Sequence, residues 1–368
     1  MTTYSNQVGI SPTYSTGNAA ISYDASRIST IIAYRNNRFH LDLSKHSLIG
    51  VLEAYATFKQ RSSPRFKNHS IIEAIKNLQN AIRIVDHNFS ELLPIDVTDI
   101  FYEEFKLFLM SQKSQRGGTL KPSTIQNYFD NIRAALSWGA LHRCPVSETF
   151  KLYKVEAYEP VKVILTPSQI AHIYYYDIDR NKDKIKEVLK TYPIRGFSFS
   201  NLKKVRDQFC FEANTAQRYS DASRISEENF DETHTILKVT QQKTGGKAKV
   251  NIPNYAIDQK IVYEILKKYN YQSPSFGMNI SNFNRLLHIL LQSIGGEFLE
   301  PVLSENKING QIVSERIPMW KLIASHTARR TFVSYHLKQG KNLLQIQRCT
   351  GHKDLRSIQA YCVLDDND

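Results

Sequence analysis

The sequence predicts two domains, an all-helical domain followed by a mixed α+β domain that is mainly helical and contains a small antiparallel sheet. The chain has 368 residues, which is more than one hydrophobic core usually holds. Apolar residues recur at helical spacing in the first part, whereas the second part mixes helical patterns with two strand-like runs. Around residues 154–169 the periodicity lapses and two prolines occur, so we place the linker there.

Residues 1–44 are predicted to form a flexible N-terminal segment or a small hairpin. Residues 1–26 are rich in Ser, Thr and Tyr without periodicity, and two β-prone runs flank Asn36-Asn37. Residues 45–155 are predicted to form the helical domain. Its clearest helix has one apolar face, formed by Ile71, Ile75, Leu78, Ile82 and Val85. Further helices are predicted near 46–61, near 98–112 and after Pro122 and Ser123, where Ser123 is a capping candidate.

Residues 160–368 are predicted to form the mixed domain. TILKVTQQ (235–242) and KAKVNIP (247–253) predict the two strands of the small sheet, joined by a turn at Thr244-Gly245-Gly246. The predicted helices lie at 167–176, 182–191, 201–213, 255–269, 281–294, 326–339, 342–349 and about 354–363.

Composition excludes several classes of protein. With 41% hydrophobic residues the chain is globular, but no apolar run approaches the roughly 20 residues that cross a bilayer. The start MTTYSNQVGISPTYSTG has no apolar signal core. The cysteines lie far apart without a C-x-x-C pair, so we expect neither a zinc site nor disulfides. This pattern fits a location in the reducing cytoplasm. They are Cys144, Cys210, Cys349 and Cys362.

A positive charge excess points to a polyanionic partner. Lys and Arg total 48 against 35 Asp and Glu, which gives a net charge of +13. Between Arg316 and Arg356 there are nine basic residues and one acid, Asp354. Such a field attracts nucleic acid, although a solvated basic surface would have the same composition.

The stretch SHTARRTF (325–332) concentrates donors at a predicted helix start. With Ser325 as the cap, His326 and Arg329 lie on the first turn and on the same face. Free backbone N–H groups at that end favour an anion, and a planar guanidinium holds two phosphate oxygens at once. Alone, the pattern is equally compatible with an ordinary basic helix start.

Three further stretches contain reactive side chains in a defined order. TAQRYSDASRI (215–225) contains Arg218 and Asp221, QQKTGGKAKVNIP (241–253) contains Lys243, and TGHKDLRSIQAY (350–361) contains His352 and Tyr361. With H-x-x-R, their order and content resemble the tyrosine recombinase, or phage integrase, family. The resemblance covers residues 160–362 and, more loosely, residues 45–155.

This resemblance implies both a fold and a function. Residues 45–155 would be an all-α, SAM-like core-binding domain that contacts DNA, and residues 160–368 the tyrosine-recombinase catalytic domain. Members of the family cleave and rejoin double-stranded DNA through a 3′-phosphotyrosine. For this chain the resemblance implies site-specific DNA recombination and integration on behalf of a mobile genetic element. We expect no cofactor, neither metal nor ATP, because the phosphotyrosine conserves the bond energy.

The resemblance also assigns catalytic roles. Tyr361 would be the nucleophile, and the covalent intermediate divides one difficult step into two. Arg218 and Arg329 would hold the nonbridging phosphate oxygens, where charge develops in the transition state. Lys243 would protonate the leaving 5′-oxygen.

The remaining assigned residues support this chemistry. His326 and His352 would donate to the phosphate, and one of them would relay the tyrosine proton. Asp221 would act as a supporting acceptor that does not itself react. Contacts to DNA are assigned to Arg330, which points to another side of the helix from Arg329, and to Lys353 and Arg356.

The sequence also departs from the family pattern. Ala216 stands where the family's TGxR turn usually has glycine, and an alanine fits if φ stays negative. Only CVLDDND follows Tyr361, so we expect a monomer in free solution and a homotetramer on paired DNA sites. Two alternatives stay open, namely a type IB topoisomerase-like enzyme that relaxes DNA and a DNA-binding regulator that has lost catalysis.

Overall fold

The computed structural model describes residues 42–62, 69–85, 92–112, 120, 122–153, 161–275, 277–308, 311–355 and 358. The predicted hairpin around Asn36-Asn37, residues 154–160 of the linker and most of the helix predicted at about 354–363 lie outside these residues. Contacts divide the chain into two compact units, Met1–Ala157 and Tyr158–Asp368. No described helix is both long enough and apolar enough to cross a bilayer.

The described residues of the first unit form a bundle of four helices, as its apolar periodicity predicts. They are α1 (Leu48–Ser62), α2 (His69–Val85), α3 (Asp99–Ser111) and α4 (Pro122–Ala140), with a short 3-10 turn at Pro94–Asp96. Ile71, Leu78, Tyr102 and Phe129 are fully or almost fully buried in their common core. Ser123 is not a cap, because α4 already begins at Pro122. Pro122 suits the first position, where its missing N–H is not needed.

The second unit is mainly helical and contains two small antiparallel sheets. Its first helices are α5 (Pro167–Tyr175), α6 (Lys182–Thr191), α7 (Phe199–Thr215) and α8 (Tyr219–Ala222). Strands β1 (Ile236–Thr240) and β2 (Lys247–Asn251) follow, then α9 (Ile252–Tyr255), α10 (Gln259–Lys268) and α11 (Ile280–Ile294). Strands β3 (Pro301–Ile308) and β4 (Gln311–Pro318) precede α12 (Met319–Leu322), α13 (Ser325–Lys338) and α14 (Leu343–Thr350).

The second sheet corrects the expectation of a single small sheet. Strands β3 and β4 pair from Pro301 opposite Pro318 to Ile308 opposite Gln311, so two residues connect them. Those residues are Asn309-Gly310 in the sequence, a dipeptide that strongly favours a two-residue hairpin turn. The helix predicted at 255–269 also divides, because Asp258 caps a new helix by accepting from the N–H groups of Lys260 and Ile261.

Helix α7 forms the centre of the second unit. Every residue from 207 to 217 is buried, so its polar side chains are paired with neighbouring elements. Asp207 accepts from Arg206, from Lys268 Nζ at 2.6 Å and from the hydroxyl of Tyr269 at 2.8 Å. The polar residues of α7 therefore fix the helices around it, and its C-terminal end supplies one wall of the site described next.

Candidate active site

Four segments of the second unit meet at one place. They are the turn that ends α7, the loop of the β1–β2 hairpin, the first turns of α13 and the C-terminal end of α14. The sequence-predicted residues Arg218, Lys243, His326, Arg329 and His352 lie on these segments or directly after them.

Arg329 joins three of the four segments. Its side chain is 1% exposed, and Nη1 donates to the carbonyl of Ala216 at 2.8 Å. Nη2 donates to the carbonyl of Thr350 at 2.8 Å and lies 2.9 Å from Nε2 of His352. A guanidinium suits this position because its planar donors point in fixed directions. Arg329 therefore holds the end of α7 and the end of α14 against α13.

The turn at Ala216 differs from the sequence expectation. An alanine at this turn was expected to have a negative φ. Instead, the φ of Ala216 is +58°, in the left-handed region. The residue closes α7, and its N–H donates to the carbonyl of Glu212. A left-handed alanine costs about 1 kcal/mol relative to glycine. The conformation directs the Ala216 carbonyl at Arg329 and leads the chain into Arg218.

Arg218 occupies the N-cap position of α8, and its side chain has an unsatisfied donor. Its Nη1 atom is buried and has no hydrogen-bond partner in the described part of the chain. A buried donor of a charged group without an acceptor is costly, by about 1–3 kcal/mol. An anion placed beside Arg218, such as a phosphate oxygen, would remove this cost.

The two histidines lie in the field of these cations. Burial, followed by the charges of Arg329 and Arg218, lowers the pKa of His352 to about 3. Although His326 is exposed to solvent, partial desolvation followed by the charges of Arg329, Arg330, Arg218 and Lys243 lowers its pKa as well. Both imidazoles are therefore neutral near pH 7, and each offers one N–H donor and one acceptor nitrogen.

The hairpin loop is fastened to the end of α14. Gln241 is buried, and its Nε2 donates to the Thr350 carbonyl that also accepts from Arg329. A side chain at Gly246 would bring a Cβ within 2.3 Å of the Gly351 carbonyl oxygen, so only glycine allows this approach. Lys243 is exposed in the loop between these fixed points, where the sequence predicts it.

Asp221 connects the α8 turn to the same loop. Its side chain is 2% exposed, and Oδ1 accepts from the N–H of Gln242 at 2.9 Å, next to Lys243. Arg224 also approaches Oδ1, at 3.5 Å. Asp221 thus holds the loop in position, which is compatible with the supporting role that the resemblance implies.

Ser325 does not cap α13, contrary to the sequence expectation. The N-cap is Ala324, and Ser325 is the first helical residue. Its hydroxyl donates instead to Oε2 of the fully buried Glu212 at 2.9 Å, and burial raises the pKa of Glu212 to about 8. The serine therefore anchors the start of α13 to α7, which fixes the helical turn that presents His326 and Arg329.

The structure describes two of the three residues assigned to DNA contacts, but not the residue assigned to nucleophilic attack. Arg330 is half-buried and donates to the hydroxyl of Thr327 at 3.0 Å, on a different side of α13 from the Arg329 contacts. Lys353 is exposed. Tyr361 and Arg356 lie outside the described residues, so their assignments stay predictions.

The assembled groups suit an anion. Arg218, Lys243 and Arg329 bring three positive charges to one place, while Asp221 is engaged by the hairpin loop. Across the described ranges, no group of three or more His, Cys, Asp or Glu side chains is arranged to hold a metal ion.

Sequence reasoning missed several residues that build the site. Gln241 and Thr350 are the main ones, and Glu212 anchors α13. The sequence does contain a sign that Gln241 is buried. Side chains of a strand alternate between its two faces, and Gln241 falls on the same inward face as Leu237 and Val239 of β1. A polar residue in such a series indicates a buried hydrogen bond.

Solved structures share this fold, although no family profile and no curated protein matches the sequence. A lambda integrase dimer bound to a COC′ core site matches with a TM-score of 0.54 and 15% identity, over 84% of this chain and 93% of that one. A lambda integrase tetramer bound to a Holliday junction matches with 0.54 and 14%, over 92% and 86%. The Tn1549 transposon integrase in complex with transposon right end DNA also gives 0.54 and 14%, over 87% and 96%. The chain therefore has the fold of the tyrosine recombinases.

The contacts of Arg329 predict a strong effect on stability. We expect Arg329→Lys to lower the free energy of unfolding by about 2–4 kcal/mol, because a lysine cannot satisfy two buried carbonyls in fixed directions. The matched variant Arg330→Lys should cost less than about 1 kcal/mol, because Arg330 is half-buried. Urea denaturation measures both, and equal losses would contradict the assigned role of Arg329.

The lowered pKa of His352 predicts a pH dependence of stability. The pKa of an unfolded histidine is about 6.5, whereas burial and the neighbouring arginine charges lower the pKa of His352 in the folded chain to about 3. Between these values only the unfolded chain binds the proton, so stability falls with falling pH by at most about 1.4 kcal/mol per unit. We expect His352→Gln to lose stability less steeply below about pH 6.5 and to match the parent slope above about pH 7.5. Urea midpoints across pH test this, and an unchanged slope would contradict it.

The close approach at Gly246 predicts a steric effect. We expect Gly246→Ala to destabilise the protein by about 2–3 kcal/mol, because the new Cβ displaces backbone at Gly351. Gly245→Ala is the control, since Gly245 has open space and φ +66° and should cost only about 1 kcal/mol. Thermal or urea unfolding compares the two. A smaller loss at Gly246 than at Gly245 would show that the loop is free to move away.

Proposed function

We propose that this chain, which has the tyrosine recombinase fold, is a site-specific DNA recombinase that acts as the integrase of a mobile genetic element. The observation that carries the proposal is the convergence of Arg218, Lys243, His326, Arg329 and His352 from four segments onto one electropositive place. The unsatisfied Nη1 atom of Arg218 adds to it, because a scissile phosphate supplies the missing acceptor. The solved integrases with this fold are bound to DNA.

The proposed cleavage uses these groups in one in-line displacement. Arg218 contacts the nonbridging oxygens of the scissile phosphate. The positive charge of Arg329, whose Nη atoms hold the carbonyls of Ala216 and Thr350, helps to stabilise the charge that develops there. The hydroxyl oxygen of Tyr361 attacks phosphorus, which forms the phosphotyrosine and breaks the bond to the 5′-oxygen.

Two proton transfers complete the step. Lys243 gives a proton to the departing 5′-oxygen, and a neutral histidine beside the phosphate accepts the proton of Tyr361. The low pKa of each histidine belongs to the empty site, and a bound phosphate anion favours the protonated form. Rejoining is the same sequence in reverse, with the 5′-hydroxyl of a partner strand as nucleophile.

We further assign DNA binding to both units. The helical unit, residues 45–155, would be the core-binding domain, and the second unit the catalytic domain. Exchange between two duplexes needs four cleavages, so we propose a free monomer that forms a homotetramer on paired sites. A lambda integrase with this fold forms a tetramer on a Holliday junction, which supports the scheme. Three cysteines in the described ranges are buried and free, which fits action in the cytoplasm.

Removal of one hydroxyl group tests the proposal. The substrate is a nicked suicide duplex built from the sequence that flanks the gene, on which a covalent protein–DNA adduct accumulates. We expect Tyr361→Phe to abolish the adduct and leave duplex binding within about twofold, because only the nucleophile is lost. Tyr335→Phe, which removes a hydroxyl from half-buried Tyr335 on α13, is the control and should retain the adduct.

The outcomes separate the candidate functions. An adduct that persists in Tyr361→Phe would contradict the nucleophile. Relaxation of supercoiled DNA without recombinant products would favour a topoisomerase, and tight binding without any adduct in the parent protein would favour an inactive regulator.

A further inference from the structure

The β1–β2 hairpin has one face that packs in the core and one that does not. Leu237, Val239, Ala248 and Val250 point inward and are buried. The opposite face consists of exposed residues of both strands, namely Lys238, Thr240, Lys247 and Lys249. We call the three lysines among them the lysine face.

The lysine face contains an unfavourable pairing. The register places Lys238 directly opposite Lys249, and Lys247 opposite Thr240. Like charges directly opposite on a strand pair destabilise it. None of the three lysines forms an ion pair with any acid in the part of the chain that the structure describes. The hairpin therefore retains a charge cluster that does not contribute to its own stability.

Two clefts border the lysine face and each contains an arginine. One cleft, of about 430 Å³, is lined by Lys238, Lys247 and Lys249 together with Arg224. The other, also of about 430 Å³, lies between Lys247, Lys249 and Arg348 of α14. Asp221 lines the first cleft and approaches Arg224, but its Oδ1 atom also accepts from the hairpin loop. The positive surface thus extends across both sides of the hairpin.

Spacing and side-chain type indicate an extended polyanion. Residues two apart on a strand, such as Lys247 and Lys249, are about 6.6 Å apart, which is close to the axial advance of two nucleotides in one DNA strand. Lysines act as flexible point charges, and the Thr240 hydroxyl is also a phosphate donor, so such a face binds the backbone and not the bases.

We propose that the lysine face binds the phosphate backbone of duplex DNA next to the scissile phosphate, on the same hairpin that presents Lys243. The proposal rests on the proposed function and names the surface that holds the substrate near the catalytic lysine. The lysines contribute to binding and to the position of the hairpin loop on DNA, and not to bond cleavage.

The experiment compares two triple variants with the same loss of charge. The first changes Lys238, Lys247 and Lys249 to Gln. The control changes Lys182, Lys186 and Lys190 of α6 to Gln, each of which is paired with an acid, namely Asp179, Asp183 and Glu187. Binding to a random-sequence duplex is measured by fluorescence anisotropy across salt concentrations. Thermal unfolding of both variants is measured in parallel.

We expect the lysine-face variant to bind less tightly and to lower the slope of log affinity against log salt by about 2–3, at about 0.9 for each lost phosphate contact. The control should lower it by less than about 1. The lysine-face variant should also melt at the parent temperature or above it, because the Lys238–Lys249 repulsion is gone.

Each other outcome overturns the inference. An unchanged salt slope would show that the lysines are only a solvated surface, and an equal loss in the control would show an effect of net charge alone. A lower melting temperature with parent-like binding would assign the lysines to folding. Failure of the parent protein to bind duplex DNA at all would remove the proposed function itself, which distinguishes that failure from the others.

Discussion

The buried guanidinium of Arg329 is the interaction on which the arrangement of the site depends. Its donors reach the carbonyls of Ala216 and Thr350, so one side chain sets the distance between the end of α7, the start of α13 and the end of α14. Burial of this charge is tolerated because carbonyl dipoles and His352 surround it. Burial, followed by this charge and that of Arg218, lowers the pKa of His352 to about 3. Arg329 therefore affects both the positions of the groups in the site and the protonation state of His352.

The Thr350 carbonyl transmits this constraint to the hairpin. It accepts from Arg329 and from Gln241, and Gly246 allows the hairpin loop to approach Gly351 without a side chain between them. The loop that contains Lys243 is therefore fixed relative to Arg218 and Arg329 without a bound ligand, which is the arrangement that the proposed electrostatic catalysis requires. In contrast, the site retains unfavourable features, which are the left-handed Ala216 and the unsatisfied Nη1 atom of Arg218. Such local costs are typical of functional sites, where a ligand offsets them.

Local patterns were sufficient to predict most of the helices and the first hairpin. Helix 182–191 was predicted with both of its ends correct, and the four helices of the first unit follow from apolar residues at spacings of three and four. The β1–β2 hairpin, with Lys243 in its loop, also agrees with the prediction. The sequence order of Arg218, Lys243, H-x-x-R and His352 named the candidate site residues through a family resemblance, and the structure brings these residues together. Their catalytic roles stay predictions. The β3–β4 hairpin was missed although Asn309-Gly310 indicated it, because two β-prone runs with mixed charges lack a clear alternation.

The sequence by itself determined most of the elements and the choice of candidate catalytic residues, whereas only the tertiary structure decided how these residues are held. Ser325 is a good helix cap by local preference, but the buried carboxyl of Glu212, 113 residues away along the chain, takes its hydroxyl instead. Ala216 combines a left-handed φ with a carbonyl that accepts from Arg329, which is also 113 residues distant. Helical and strand periodicities are properties of neighbouring residues and can be detected in a short window. Hydrogen bonds between distant segments depend on packing that no short window contains, so caps, strained turns and the anchors of the site become visible only in the folded chain.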